Sequence, residues 1–107
     1  MGYFLDGKAT LVVGTHTHTP TADFRILENG TAYQTDAGMC GDYNSIIGME
    51  SDKALKRFFT QERTERLSPA NGEATLSGVV VVGDIDTGLA KKIEPIIIGG
   101  RLTNKFT

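Results

Sequence analysis

Tryptophan is absent and cysteine occurs once, at Cys40, so the 107-residue chain cannot close an internal disulfide. A lone thiol suits a reducing compartment, and a cytoplasmic location is the expectation. The longest apolar runs, residues 79–82 and 96–98, fall far short of the ~18 residues that a membrane helix needs. The opening "MGYFLDGK" has neither the basic start nor the long apolar stretch of a secretory signal. Eleven basic against thirteen acidic residues leave a net charge of −2, so the basic face of a duplex nucleic-acid binder is missing. There is no internal repeat and no low-complexity tract, and the length allows one domain at most. Histidine is nearly as scarce as cysteine. The chain has two, His16 and His18, and they stand one residue apart.

What is present reads as a strand-rich chain with one clear helix. "MGYFLDG" resembles the last turn of a helix, closed by an Asp6-Gly7 turn. Residues 9–13 are short, apolar and β-branched at their end, which predicts a strand buried on both faces. Asn29-Gly30 separates two extended segments, 24–27 and 31–35, and predicts a hairpin with a type I′ turn. Residues 36–49, rich in glycine and polar turn formers, read as an irregular loop. Ser51 is placed to cap a helix over residues 52–61, with Asp52 at its positive end and Leu55, Phe58 and Phe59 on one face. After the break "SPANGE", residues 73–86 and 89–98 predict a long antiparallel hairpin turning at Asp86-Thr87-Gly88. The tail from Gly99 reads as loosely ordered.

The histidine pair follows the first strand in "LVVGTHTHTP". Imidazole is mostly neutral near pH 7 and is then a good metal ligand. On a strand, i and i+2 share a face and both rings would converge on one ion; in a loop they could reach two adjacent ions. Two imidazoles are too few for a complete site, since a catalytic zinc commonly takes three protein ligands. Strand ends are where α/β proteins bind ligands, and Gly14 permits close backbone approach. Thr15, Thr17, Thr19, Thr21 and Asp23 could orient the rings by hydrogen bonds, as partners of metal-binding imidazoles do. The competing reading is an incidental pair in a polar threonine turn, and spacing alone leaves both open.

Four motifs bear on that choice: "GTHTHTPTAD" at 14–23, "GTAYQTDAGMCG" at 30–41, "SIIGM" at 45–49 and "GVVVVGDIDTGLAKKIEPI" at 78–96. In this order they resemble the carboxyl-terminal part of the calcineurin-like metallophosphoesterases called YmdB-like phosphodiesterases. The resemblance implies an α/β fold, the carboxyl-terminal part of an α/β/β/α sandwich. It also implies two divalent ions, iron or manganese, and hydrolysis of phosphodiesters such as 2′,3′-cyclic nucleotides. His16 and His18 would be metal ligands, one per ion, and the loop carrying Asp36, Gly38 and Met39 would lie beside them. The chain departs from the family at Ala37, Cys40 and Asp42. Cys40 is expected as a small packed residue, and Asp42, where proline is frequent, as a loosening of the loop.

The family's other ligands, an early Asp, a Glu-Asn pair, an Asn-His pair and a further His, have no match here. The expectation is therefore a carboxyl-terminal fragment, residues 1–107 forming a single partial domain, with Met1 an internal methionine taken as a start. Such a chain would bind at most one ion weakly, would not turn over substrate, and would form a homo-oligomer to cover exposed strand edges. The alternative is a non-catalytic, oligomerising or regulatory β-rich fragment with vestigial metal ligands. An amidohydrolase barrel, which also begins its metal site with His-x-His, needs ~200 or more residues and further histidines.

Overall fold

The computed structural model describes residues 1–60 and 66–105. Gln61, the expected last residue of the helix, and the last two residues of the tail lie outside that range. Among the described residues no helix is long and apolar enough to cross a membrane.

The first element is a single helical turn, α1 (Gly2–Leu5), as the opening heptapeptide suggested. Strand β1 (Leu11–Val13) then runs parallel to β3 (Ala32–Gln34), which pairs on its other side, antiparallel, with β2 (Arg25–Ile26). The sheet order is β1-β3-β2. Strand β1 is shorter than the predicted 9–13 segment, and it is not buried on both faces. It is an edge strand of this sheet, and Val13 remains 41% exposed because no described element covers it.

The β2–β3 hairpin forms around Asn29-Gly30, but with a different turn. Gly30 N–H donates to the Leu27 carbonyl (3.0 Å), Leu27 N–H donates to the Thr31 carbonyl (2.8 Å), and only Gly30 takes a positive φ, 100°. This is a three-residue loop with glycine in the left-handed region. The Asp6 carboxylate selects it by accepting from Asn29 N–H (2.9 Å) and Thr31 N–H (3.2 Å), tying the turn to the end of α1.

Strands β4 (Leu76–Gly83) and β5 (Ala90–Ile98) form the predicted hairpin, with a register shift between Val82 and Gly83. Its turn is organised by Asp84, whose carboxylate accepts from the amides of Asp86 (2.8 Å) and Thr87 (3.2 Å). Those amides, with Lys91 beyond them, hold the Asp84 carboxyl below its ordinary pKa. The hairpin docks on the first sheet where Ala90 N–H donates to the Gly30 carbonyl (2.8 Å). The tail is better ordered than expected. Lys105 exchanges two backbone hydrogen bonds with Ile97, and Gly99 N–H donates to Asn104 Oδ1 (2.9 Å).

Helix α2 (Ser51–Thr60) begins on Ser51 itself, which is thus its first residue and not its cap. The apolar face of Leu55, Phe58 and Phe59 exists, but none of the helix is buried, and Phe58 and Phe59 are 77% and 78% exposed. The rest of the chain is similarly open. Leu27 and Ala32 are the buried hydrophobic residues among those described, whereas Thr31, Gln34, Asp36 and Thr75 are almost completely buried. The radius of gyration is 17.2 Å, against about 13 Å for a compact domain of this length.

With so little apolar burial, hydrogen bonds between segments hold the chain together, and Thr31 is a hub. Its hydroxyl accepts from Gly7 N–H (2.8 Å) and donates to the Ala9 carbonyl (2.7 Å), joining the α1–β1 connection to the hairpin. The variant Thr31→Val keeps the shape but orphans both groups. It is expected to lower stability by about 1–3 kcal/mol, the cost of unsatisfied buried polar groups, measured by urea denaturation.

Candidate metal-binding site

Because β1 and β3 run parallel, their carboxyl ends lie side by side, and the loops leaving them, residues 14–19 and 35–42, meet. Gly14 starts the first loop by passing tightly against the second. Its N–H donates to the Gln34 carbonyl (3.2 Å) and its carbonyl accepts from Ala37 N–H (3.0 Å). A Cβ there would stand 2.3 Å from the Thr35 carbonyl oxygen, so only glycine fits.

Asp36 locks the two loops together. It is 1% exposed, and Thr17 donates to its Oδ2 from both the amide (2.6 Å) and the hydroxyl (2.7 Å), while Gly38 N–H donates to Oδ1 (2.8 Å). Its main chain is held as well: the Asp36 carbonyl accepts from Thr21 N–H (3.0 Å) and its amide donates to Thr21 Oγ1 (2.9 Å). The Gly38 amide foremost, then the Thr17 hydroxyl, hold the carboxyl at about 2 against an ordinary 3.8, outweighing burial, which pushes the other way. A permanent negative charge therefore sits in the wall of the site.

Thr15, His16, His18, Asp36, Gly38 and Met39 line one hollow of about 240 Å³. Both histidines lie beyond the end of β1, and His18 has a positive φ of 65°, so the alternation of a regular strand does not apply to them. Both histidines therefore stand in a loop and not on one face of a strand. His18 Nδ1 lies 2.9 Å from the Ile47 carbonyl, in the loop that follows. Of the residues expected beside the histidines, Thr15, Asp36, Gly38 and Met39 are in the wall, Thr17 braces it, and Gly14 supports it from behind. Asp23 lies elsewhere. Its carboxylate serves Thr21 (2.7 Å), the Thr35 hydroxyl and amide, and Arg25 (3.8 Å), with no hydrogen bond to either imidazole.

Three contributors escaped the sequence reading. The Tyr43 hydroxyl clamps Met39, accepting from its amide (2.8 Å) and donating to its carbonyl (2.9 Å). Asp42 braces the loop where a loosening was expected, accepting from Asn44 N–H (2.8 Å) and Gly72 N–H (3.0 Å). Ile47 supplies the carbonyl facing His18. Only the Asp-x-Asn pattern at Asp42 and Asn44, which favours a local side-chain turn, hinted at any of these. Cys40 is exposed rather than packed, its Sγ donating to the Ser77 carbonyl (3.2 Å).

The donor set fits a borderline divalent cation in kind, since imidazole suits zinc and iron, whereas manganese also calls for oxygen ligands. In number it is incomplete. Among the described residues no group of three or more His, Cys, Asp or Glu side chains surrounds a common point.

Two outcomes are expected from this geometry. Asp36→Asn puts an amide where three donors converge, so the Thr17 and Gly38 amides should exchange with solvent about tenfold faster or more, read by hydrogen exchange. Asp23, held at about 2 chiefly by the Thr35 and then the Thr21 hydroxyl, binds fewer protons folded than unfolded. Its contribution to stability is therefore complete above its ordinary pKa of 3.8 and is lost as pH falls through about 2, as a carboxylate NMR titration would show.

Comparison with known proteins agrees with the motif resemblance. Residues 1–96 match the YmdB-like protein family. The 2′,3′-cyclic-nucleotide 2′-phosphodiesterase of Bacillus subtilis (strain 168) is 52% identical over 98 residues, covering 92% of this chain and 37% of that protein. A hypothetical protein from Thermus thermophilus superposes with a TM-score of 0.83 at 41% identity, over 94% of this chain and 38% of its own. A novel phosphatase from Mycoplasma pneumoniae does so with a TM-score of 0.85 at 38% identity, over 92% and 35%. The chain thus spans little more than a third of the length of these relatives. Its strand-rich α/β architecture is part of the metallophosphoesterase fold. The chain belongs to the YmdB-like protein family.

Proposed function

We propose that this chain supplies the histidine loop of a metal-dependent phosphodiesterase acting on phosphodiesters such as 2′,3′-cyclic nucleotides. One observation carries the reading: two imidazoles share the wall of a single hollow with a buried carboxylate that accepts three hydrogen bonds from the two loops, which hold its pKa down. A fixed anion beside neutral ligands favours a cation over an empty or anion-filled pocket. The Bacillus subtilis relative, named for cyclic-nucleotide phosphodiesterase activity, supports the substrate class.

In this mechanism His16 and His18 hold iron or manganese, and Asp36 with Thr17 keeps the loop that carries them in place. Divalent cations, when bound, neutralise phosphate oxygens and acidify a water for attack on phosphorus. The imidazoles act as ligands and not as acid–base groups. Imidazole ligands carry no negative charge to screen two adjacent dications from each other, and the described residues bring no group of three or more His, Cys, Asp or Glu side chains together to supply the anionic donors such a pair would need.

For the chain alone the expected result is weak uptake of at most one manganese ion, followed by electron paramagnetic resonance, and its loss in His16→Ala/His18→Ala. A double variant that kept its manganese would overturn the ligand assignment. Hydrolysis of bis(4-nitrophenyl) phosphate by the chain alone would overturn the partial-site reading.

The exposed apolar face of α2 and the near absence of buried hydrophobic side chains among the described residues favour a second role, self-association. Sedimentation at micromolar concentration is expected to give a homo-oligomer. A compact monomer would count against it.

A further inference from the structure

Two residues other than glycine take a positive φ among the described residues, His18 at 65° and Ile47 at 46°, and they are hydrogen-bonded to each other. Ile47 and Gly48 (φ 91°) are the central residues of a turn closed from both sides. Ile46 N–H donates to the Met49 carbonyl (3.0 Å), and Met49 N–H donates to the Ile46 carbonyl (2.9 Å). Positive φ at both centres of a doubly bonded pair defines a type I′ turn, whose first centre favours Asn, Asp or Gly. A β-branched residue there is an outlier, and the Ile47 side chain is 58% exposed, so burial does not compensate for it.

Backbone strain of this sort persists only where the surroundings over-determine it. Here they do. Ser45 Oγ accepts from Gly48 N–H (2.9 Å) and donates to the Asp42 carbonyl, and Asp42 is itself anchored by Asn44 and Gly72. On the other side a Cβ at Gly48 would stand 2.9 Å from the sulfur of Met39, a residue clamped by Tyr43. What this framework delivers to the site is the Ile47 carbonyl, 2.9 Å from His18 Nδ1. A carbonyl oxygen can only accept, so Nδ1 must carry the proton and the lone pair is left on Nε2. The His16 ring has no such partner among the described residues.

We infer that the turn at residues 46–49 is a positioning device for His18: it fixes the Nδ1–H tautomer and presents Nε2 as the atom that binds the cation. Ile47 is a positioning residue, acting through its main chain. The metal-binding half of the inference rests on the function proposed above; the tautomer half does not.

The test is the ¹⁵N spectrum of the imidazoles in the 107-residue chain, recorded at about pH 8, with manganese affinity measured alongside. His18 is expected as a single Nδ1–H tautomer, distinct from His16. Ile47→Pro, whose φ is set near −65°, should withdraw the carbonyl, release His18 into a tautomer mixture and weaken manganese binding about 10–100-fold. Ile47→Asn and Ile47→Gly keep the turn and should keep both readouts. Ser45→Ala, which loosens the turn without a proline, should shift His18 in the same direction as Ile47→Pro if the latter fails to fold. A tautomer mixture or an Nε2–H form of His18 in the unaltered chain would overturn the inference, as would an unchanged tautomer in Ile47→Pro. A fixed Nδ1–H tautomer without manganese uptake would support the device and overturn the metal reading.

Discussion

The carboxylate of Asp36 is the interaction on which the candidate site depends. It is buried, ionised and supplied with donors by both loops that leave the parallel strands. A buried charge is tolerated only when its hydrogen bonds are satisfied, so the two loops cannot separate without exposing an unpaired anion. That requirement fixes Thr17, and Thr17 lies between the two histidines. The course of the loop that carries both imidazoles is therefore set by a group that makes no hydrogen bond to either ring. The same charge gives the hollow its sign.

The wider structure repeats this dependence on polar contacts. Thr31 ties the α1–β1 connection to the hairpin, Asp6 shapes the hairpin turn, and Asp42 pins the loop of Tyr43 to the segment at Gly72. Apolar burial contributes little, with Leu27 and Ala32 alone buried among the described residues and the helix face of Phe58 and Phe59 open to solvent. Hydrogen bonds set geometry well but add only about 0.5–1.5 kcal/mol each to net stability. A chain held mainly by them is well specified locally and weakly held globally.

Local structure was legible where chain chemistry decides it. Asn29-Gly30 announced a hairpin, the β-branched run of β4 and the turn after it announced another, and Leu55, Phe58 and Phe59 announced a helix face. Errors came where a distant partner decides. The type of the first turn depends on Asp6, more than twenty residues away. The exposure of β1 and α2 depends on what covers them, and no apolar pattern states that. In the site, the pair at His16 and His18 was visible, and the motif order around it gave the family. The separation of Asp23 from the histidines was not visible, because Asp23 and Thr35 meet only once the hairpin has formed.

Ile47 marks the limit of such reading most clearly. Turn statistics would reject isoleucine at the first centre of a type I′ turn, so a rule applied locally would have placed a different backbone there. The structure keeps that backbone because Ser45 Oγ accepts from the Gly48 amide and is itself anchored on the Asp42 carbonyl. Its carbonyl then meets His18, itself in a conformation that few residues adopt. Local preference is overruled at Ile47, and less sharply at His18 because histidine is enriched among the side chains found at positive φ, and the two are each other's partners. Places where sequence rules fail together in this way are where a fold has been shaped by something other than its own stability. Here the pair lies in and behind the wall of the hollow, which is why the strain is read as belonging to the site.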